Sequence, residues 1–535
     1  MRPLAWALGL GALFLALRCV DLGGLPSPNG DEGNWVAYGY NLSRGWPVSL
    51  PPTARFVSLA FAWAIAGAYT LAGPSFAAAR AVLVVGLGAG LALSVVALRA
   101  MRLGRVALGL TAAVAVHPWA VAWSRTATVP YAWSLGLSLA ALAWSAWALE
   151  SGSGLALFVA VQLVFLGFHA SPLSLIAALA VAFGVRSARA PWHRRGAFWV
   201  SALCGLAHVA PVWIAALGVA RAGHARQAQF FNNLGARLAV FLRTLLGGLW
   251  GEPTLRHMTG LGLSRWLDVA LCGVATLFTL GALWRAARDG TTRSLRTLAS
   301  MGLGWFALAL VFLPILLAPA RPWNLPAIDT DRYLWVMVVP AVLAIALTFE
   351  PISKSSRERL WRLGACAALA WLGLGATARW FWYFYQDGGP DRGFYTLAGG
   401  GADRGWRGAR GGGVLPERLA DAIDAARGAA PAVQVVIADY SFNTLRWVGL
   451  RRRGWSVCEV TKYPLSPRPG VPHAFVLWHP TMFVSGYQPA EVAAANAQLW
   501  ALMRSPVFRA QRRAATYAQP NGAALIEVWL ADRAH

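Results

Sequence analysis

Long apolar segments separated by short polar loops make up most of the chain from its start to residue 382. A helix of roughly 20 apolar residues crosses the hydrocarbon core of a bilayer, and most of these segments approach that length. They lie at 4–17, 56–72, 79–98, 106–122, 130–149, 154–168, 171–185, 197–217, 267–284, 298–317, 333–349 and 363–382. The pattern predicts a polytopic α-helical membrane domain over residues 1–382. No small-residue cleavage site follows the first segment, so we interpret it as an uncleaved span.

Basic residues are distributed unevenly among the short loops. The loops that hold most of them are 99–105, 186–196, 285–297 and 350–362, whereas the short loops between these hold only Arg125, Arg321 and Arg332. Cytoplasmic loops carry the excess of Lys and Arg, so the first set is predicted to be cytoplasmic. With a cytoplasmic N-terminus, one early segment must then fail to cross. Segment 56–72, which ends at Gly73-Pro74, is predicted to be an outer juxtamembrane or re-entrant helix, which leaves about eleven spans.

The chain changes character after residue 382. Residues 383–413 are rich in glycine and are predicted to be a flexible linker. Residues 414–535 alternate helix-like and strand-like segments, which predicts a small extracytoplasmic α/β domain. We interpret this domain as an accessory or acceptor-docking module in preference to a catalytic one, although Asp439, Tyr440 and His479 follow its strands.

Composition and charge indicate which kind of molecule the protein binds. Of the 535 residues, 57% are hydrophobic and 13% charged, and 47 Lys and Arg against 22 Asp and Glu give a net charge of +25. The arginines lie between apolar segments, so the basic charge suits lipid headgroups and phosphates and argues against nucleic acid. The five cysteines are scattered and predict neither a disulfide framework nor a metal cluster. The bias toward Ala, Gly and Arg favours a bacterial inner (plasma) membrane.

Asp31 and Glu32 stand side by side after the first apolar segment, in a chain that has few acids. One interpretation is structural: Asp31 caps a helix over 32–44 and Glu32 interacts with its dipole. The other is catalytic, with the carboxylates at the outer membrane surface. In either case Trp35, Tyr38 and Leu42 form an apolar stripe that is predicted to lie on the membrane.

Four segments, taken in order, resemble those of a known family. They are NGDEGNWVAYGYNLSRGWPVSLPPTAR (29–55), LAGPSFAAARAV (71–82), HPWAVAWSRTAT (117–128) and DRYLWVMVVPA (331–341). Together they resemble the GT-C glycosyltransferases of the protein O-mannosyltransferase and lipid A aminoarabinose transferase type, glycosyltransferase family 39. The resemblance covers about the first 350 residues and implies a GT-C-like membrane domain with outer juxtamembrane helices.

The resemblance also implies a reaction and its residues. A hexosyl or pentosyl group would move from a polyprenyl-phosphate donor to a lipid, glycan or protein acceptor at the extracytoplasmic face. Asp31 would be the base or a metal-side carboxylate, with Glu32 as its partner, while cations hold the departing phosphate. The implied donor-phosphate residues are Arg55, Arg80, Arg125, His169, Arg332 and Tyr333.

Structural alternatives exist for these residues. Arginines at span ends often snorkel to the interface, and a histidine at a hairpin tip is often structural. Residues 127–133 lack a second acid that some relatives use, which argues against a two-acid metal site and leaves the need for a divalent cation open.

Two other classes of protein compete with this interpretation, a polytopic transporter and a non-enzymatic membrane scaffold. A transporter typically has polar groups near the bilayer midplane in broken, repeated helices. Here only Gln162 and His208 lie deep in predicted spans, and no repeat is found. A scaffold has no need for an acid pair and arginines on one face. Glycosyl transfer is therefore the preferred interpretation.

Overall fold

The computed structural model describes most of the helical domain and the sheet of the C-terminal domain. The described residues are 2–23, 30–45, 59–127, 129–185, 196–222, 249, 265–316, 334–352, 356–378, 381, 395–397, 415–438, 449, 451–460, 465, 470–478, 482–484, 489–518 and 524–533.

Fourteen described helices form the membrane domain. In chain order they are α1 (Arg2–Cys19), α2 (Gly30–Ser43), α3 (Ala60–Ala72), α4 (Phe76–Ala100), α5 (Gly104–Val116), α6 (Pro118–Ser124), α7 (Tyr131–Ser151), α8 (Gly154–Ala170), α9 (Leu175–Val185), α10 (Gly196–Ala222), α11 (Arg265–Asp289), α12 (Arg293–Leu316), α13 (Trp335–Leu347) and α14 (Ser356–Ala370). A 3₁₀ turn, Pro172–Ser174, precedes α9, and a π-helical segment, Trp371–Thr377, continues α14. Each apolar segment of the sequence overlaps at least one of these helices, which confirms the predicted polytopic helical fold.

Four helices in the described part of the chain are long and apolar enough to cross a membrane. They are Phe76–Ala100, Tyr131–Ser151, Arg293–Val311 and Glu358–Thr377, and the pair α5 and α6, bent by 63°, makes a fifth if it is one span. Five shorter apolar helices include α3, whose 13 residues are fewer than a full crossing needs. The total of about eleven spans stays a prediction.

Small residues bring α4 and α7 into backbone contact. A Cβ atom added to Gly90 would lie 2.4 Å from the backbone carbon of Gly136. Tryptophans at the same interface donate to carbonyls of α4: Trp133 Nε1 to Val82 O at 2.9 Å and Trp144 Nε1 to Leu93 O at 3.0 Å. Because the bilayer supplies no water for these N–H groups, the two helices satisfy them directly.

The centre of the domain is α13, in which every residue is buried. A helix that is apolar on all sides is typical of such a fully enclosed position. Trp305 of α12 donates through Nε1 to Val336 O at 2.6 Å and so fixes the register of α12 against α13.

The bend between α5 and α6 has a clear local cause. Pro118 has no N–H, so the helix cannot supply the usual donor to Val114 O. Arg18 of α1 supplies it, through Nη2 to Val114 O at 2.8 Å and Nη1 to Ala115 O at 3.0 Å. The Thr377 hydroxyl donates to Val116 O at 2.6 Å. Side chains from α1 and from the segment that follows α14 therefore satisfy three consecutive carbonyls at the bend.

We expect the stability of Arg18 variants to depend on Pro118. Arg18→Met should destabilise the protein by about 1–3 kcal/mol for each carbonyl left without a donor. The Pro118→Ala background should reduce this loss by about 1 kcal/mol or more, because the restored N–H can bond to Val114 O. Thermal unfolding in detergent measures both effects, and Arg99→Met, at an exposed position, is the control. Equal losses in the two backgrounds would contradict this role of Arg18.

The C-terminal domain is built on a five-stranded mixed sheet. Its strands, with a separate two-stranded pair, are β1 (Tyr395–Leu397), β2 (Val433–Ile437), β3 (Trp455–Glu459), β4 (His473–Trp478), β5 (Met482–Val484), β6 (Phe508–Ala518) and β7 (Ala524–Arg533). The sheet order is β3-β2-β4-β7-β6, with β2 parallel to β3 and β4 and the other pairs antiparallel, while β1 pairs with β5. Helices α15 (Leu415–Arg427) and α16 (Pro489–Met503) accompany it.

The predicted C-terminal α/β fold is confirmed. All of β2 is buried, which explains why its sequence is a continuous apolar run. Side chains of both helices, among them Leu419, Ile423 and Leu499, join the core of the sheet. The boundaries of the predicted linker stay a prediction, and Asp439, Tyr440 and His479 lie outside the described residues.

Candidate functional site

A buried ion pair joins the start of α2 to α4. Arg80 donates through Nε to Glu32 Oε1 at 2.7 Å and through Nη2 to Glu32 Oε2 at 2.8 Å, and neither side chain is exposed to solvent. This two-bond geometry matches the fork of a guanidinium to the two oxygens of a carboxylate. The pair holds the first turn of α2 at a defined place on α4.

Two backbone contacts extend this pair to neighbouring segments. The Ala127 N–H, just after α6, donates to Glu32 Oε1 at 2.6 Å. Arg80 Nη1 donates to Leu22 O, after the end of α1, at 2.9 Å. Four segments of the chain therefore meet at this node, which we call the Glu32–Arg80 node: the ends of α1 and α6 and the starts of α2 and α4.

Arg125 fixes the same region from the other side of α1. Its guanidinium is buried and donates to Leu17 O at 3.0 Å, to Asp21 O at 3.2 Å and to Val20 O. These carbonyls end α1 and have no partner within the helix, so a cation there is favourable. Arg125 also lies 5.2 Å from the ring centroid of Phe381, and its predicted contact with a donor phosphate stays a prediction.

Glu32 and Arg80 are partners of each other in the described contacts, and their predicted roles in catalysis and phosphate binding stay predictions. The resemblance implies that Glu32 assists catalysis and that Arg80 holds phosphate, but each is the other's partner in the structure. Burying a carboxylate without a cation would be costly, and the two charges compensate each other. Their contacts hold the start of α2 against α4.

Asp31 is the second residue of α2. The helix begins at Gly30, two residues earlier than predicted, so Asp31 lies in its first turn and the interpretation of Asp31 as the N-cap does not hold. Neighbouring positions on a helix are about 100° apart around its axis, so position 31 lies on a different face from position 32. The side chain of Asp31 lies outside the described residues, as do Arg55, Arg332 and Tyr333.

The apolar stripe of α2 packs against protein. Trp35 is buried, and its ring lies 5.5 Å from the ring of Phe61 in α3. Gly39 permits this close approach, since a Cβ atom there would lie 2.3 Å from a methyl carbon of Ile65. The prediction that the stripe lies on the membrane is therefore wrong for Trp35, because α3 covers this face of the helix.

His169 belongs to a chain of polar side chains between α8 and α10. Its Nε2 lies 2.8 Å from Nδ1 of His208, and Nε2 of His208 lies 3.3 Å from Oε1 of Gln162. Gln162 Nε2 donates to Ser201 O at 2.7 Å and to Ser201 Oγ at 2.9 Å, and Ser201 Oγ donates to Phe158 O at 3.0 Å. We call Ser201, Gln162, His208 and His169 the histidine ladder.

Sequence reasoning identified Gln162 and His208 only as polar residues deep in spans, and it did not single out Arg18. The signal for Arg18 is the combination of two local features. Arg18 stands at the end of one apolar run, and Pro118, inside another run, leaves a carbonyl that needs a donor. Among the described residues, no group of three or more His, Cys, Asp or Glu could hold a metal ion.

The fold and the site define the class of protein as a polytopic membrane protein with a GT-C-type helical domain and a C-terminal α/β domain. No protein-family model and no curated protein sequence matches the chain. Two solved structures do, both of ArnT, the lipid A aminoarabinose transferase, from Cupriavidus metallidurans.

The two likenesses differ in extent. The apo structure aligns with a TM-score of 0.54 and 13% identity over 99% of this chain and 98% of that chain. The structure bound to undecaprenyl phosphate aligns with a TM-score of 0.48 and 13% identity over 98% of both chains. The likeness to the apo structure shows that this chain has the GT-C fold, which confirms the resemblance in the sequence at the level of the fold.

Proposed function

We propose that this protein is a membrane glycosyltransferase that moves a sugar from a polyprenyl-phosphate donor to an acceptor hydroxyl or amine at the extracytoplasmic face of the inner membrane. The observation that carries the proposal is the Glu32–Arg80 node, which holds the first turn of α2, and with it position 31, at the junction of α1, α4 and α6. The likeness of nearly the whole chain to a GT-C structure supports it.

The proposed reaction needs a base and a phosphate grip. Asp31 takes the proton of the acceptor group as its oxygen or nitrogen attacks the sugar carbon, and the carbon–oxygen bond to the donor phosphate breaks. Arg332, Tyr333 and Arg55 hold the departing phosphate, because a guanidinium can bind two of its oxygens at once. Arg80 and Arg125 contribute by fixing α1, α2 and α4 in position. A divalent cation at the phosphate would assist in the same way.

The bend at Pro118 does not favour transport. Broken helices in transporters commonly present unwound carbonyls to an ion. At this bend Arg18 and Thr377 donate to the carbonyls of residues 114, 115 and 116, so protein groups already occupy them. This observation makes glycosyl transfer the better supported function.

Deletion of the gene and analysis of the cell envelope test the proposal and identify the substrates. We expect loss of one sugar from a lipid, glycan or protein, together with accumulation of the matching polyprenyl-phosphate sugar. A deletion strain with an unchanged envelope and no accumulated donor would contradict the proposal.

The orientation of the chain gives a further expected result. In a cysteine-free background, a cysteine at residue 400 should react with a membrane-impermeant thiol reagent in whole cells, whereas one at residue 190 should react only after lysis. The reason is the excess of arginine in the loop 186–196. Equal labelling of the two positions in whole cells would place the proposed site on the wrong side of the membrane.

Arg332→Ala should impair transfer about 10-fold or more, since loss of a charged hydrogen-bond partner costs about 1.5–3 kcal/mol. Arg332→Lys should recover only part of the rate, because an ammonium lacks the fork geometry.

Arg362→Ala is the control for the Arg332 variants. Arg362 lies on α14, near Glu350. Burial raises the pKa of Glu350, and the charges of Arg105 and Arg362 offset part of that rise. We expect this variant to keep near-normal transfer, because the predicted topology places it on the cytoplasmic face. Equal activities of Arg332→Ala and Arg362→Ala would contradict phosphate binding by Arg332 and would indicate that its side chain only snorkels to the membrane interface.

A further inference from the structure

We infer that the histidine ladder holds His169 in the tautomer with its proton on Nε2, which makes Nδ1 a proton-accepting atom at the end of α8, and that His169 and His208 together take up one proton. The inference stands on the hydrogen bonds of the ladder and does not require the proposed glycosyl transfer. The ligand class of this site is a proton or a hydrogen-bond donor.

The orientation of Gln162 is the first step. A backbone carbonyl can only accept, so the atom of Gln162 that faces Ser201 O at 2.7 Å must be the amide nitrogen. The Gln162 oxygen is then the atom that faces His208. Because an amide oxygen only accepts, His208 must carry a proton on Nε2 to make this contact.

The tautomer of His208 determines that of His169. A neutral imidazole with its proton on Nε2 accepts at Nδ1, so His208 Nδ1 accepts from His169 Nε2 across their 2.8 Å contact. His169 therefore carries its proton on Nε2, and its Nδ1 has a lone pair. A single carbonyl at residue 201 thus sets the protonation of a ring two side chains away.

Packing keeps the two rings in this arrangement. They lie edge to edge and nearly coplanar, with centroids 5.1 Å apart and planes 20° apart, and Phe165 lies against His208 at 6.3 Å. Phe165 also fills the space above Gly205, where an added Cβ atom would lie 2.1 Å from its ring. Glycine at 205 is what allows α8 and α10 to approach closely enough for the ladder to form.

The geometry also defines how an added proton is shared. A proton bound at His169 Nδ1 lets the Nε2 proton of His169 pass to His208 Nδ1. His169 is then neutral with its proton on Nδ1, and His208 is a cation that donates through Nε2 to Gln162 and through Nδ1 to His169. The described hydrogen bonds of the ladder are all kept, whereas a second proton would place two cations in contact. The pair therefore takes up one proton as a unit.

Other titratable groups on the helices packed against α8 are few in the described part of the chain. Tyr69 belongs to α3, Tyr131 and Glu150 to α7, and Cys204 to α10. Arg221 near the end of α10 has a side chain outside the described residues. Glu150 lies near the N-terminal end of α8, opposite to His169, and 3.9 Å from Arg293.

The inference limits how His169 can meet a phosphate. In the neutral ladder Nδ1 accepts and cannot donate to an anion, so contact with the phosphate predicted from the sequence requires uptake of one proton. Under the proposed function, donor binding through His169 would be coupled to that uptake.

Nitrogen-15 NMR of histidine-labelled full-length protein in lipid nanodiscs tests the inference directly. Ring nitrogens with and without a proton have distinct shifts, and His169→Gln and His208→Gln spectra assign the two rings among the nine histidines. We expect His169 to carry its proton on Nε2 at alkaline pH. His117 is an internal reference, since its Nδ1 accepts from the Trp119 N–H at 3.2 Å.

Two variants separate the ladder from simple packing. Gln162→Leu removes the acceptor of His208, so His169 should change from one tautomer to a mixture of two in comparable amounts, although residue 162 does not bond to it. Ser201→Ala keeps the carbonyl that orients Gln162, so His169 should keep its tautomer. Acidification should bring one shared proton to the wild-type pair. A proton on His169 Nδ1 in the wild type, no response to Gln162→Leu, or two independent protonations would each overturn the inference.

Discussion

Asp31→Asn should lower the rate of sugar transfer by ~10²-fold or more, the usual scale for loss of a general base. An amide cannot take the proton of the acceptor group, whereas loss of the negative charge in the first turn of a helix costs only about 0.3–1 kcal/mol. The variant should therefore unfold at nearly the wild-type temperature. Transfer is measured as restoration of the missing envelope sugar in the deletion strain, and then with the identified donor in proteoliposomes.

Asp21→Asn is the matched control for this prediction. Asp21 is an exposed acid at the end of α1, with a positive φ of 49° that asparagine tolerates well. It should keep normal transfer, because its described contribution is a backbone carbonyl bonded to Arg125. An Asp31→Asn protein that inserts, folds and transfers sugar at a near-normal rate would reduce Asp31 to a helix-start residue and remove the base from the proposed mechanism.

Breaking the Glu32–Arg80 pair should have the largest effect on stability. Arg80→Leu leaves a carboxylate buried without its cation, and Glu32→Leu leaves a buried guanidinium, so each should lose about 3–5 kcal/mol. The double variant Glu32→Leu/Arg80→Leu should recover much of this loss, because no uncompensated charge remains. Thermal unfolding in detergent, followed by tryptophan fluorescence, measures all three proteins.

The exposed pair Arg288 and Asp289 provides the comparison. Their side chains are 71% and 46% exposed, so Asp289→Asn should change stability by less than about 1 kcal/mol. The double variant at the node should fold yet transfer sugar slowly, because the start of α2 is no longer tied to α4 and to Ala127. Full activity in the double variant would show that the node does not position Asp31. Single losses as small as that of Asp289→Asn would show that the pair is not buried as described.

The predictions for Asp31 and for the Glu32–Arg80 pair give the two adjacent acids different roles, a chemical one for Asp31 and a structural one for Glu32. From the sequence, each carboxylate has a structural and a catalytic interpretation, since the two are adjacent at one helix start. Under the proposed function, the bonds of Glu32 to Arg80 and Ala127 favour a positioning role for Glu32, and Asp31 is the proposed base. We expect an activity loss without a stability loss at Asp31, and a stability loss together with slower transfer at Glu32.

Local sequence patterns specify the helical membrane domain, the position of nearly every described helix and the C-terminal α/β fold. These features depend on local patterns: an apolar run of sufficient length must be helical in lipid, and buried parallel strands are continuously apolar. The short α3 before Gly73 and the bend at Pro118 are likewise local, because proline and glycine change the backbone at their own positions.

Which polar groups meet depends on the packing of the helices. Glu32 and Arg80 are 48 positions apart, Arg18 and Val114 are 96 apart, and His169 and His208 are 39 apart. Each pairing depends on how the helices pack, and no local pattern specifies a partner at such a separation. Buried charges and carbonyls must be satisfied somewhere in the interior, so the sequence indicates that partners exist. The close approach of helices at small residues such as Gly90 and Gly205 determines which partners they are.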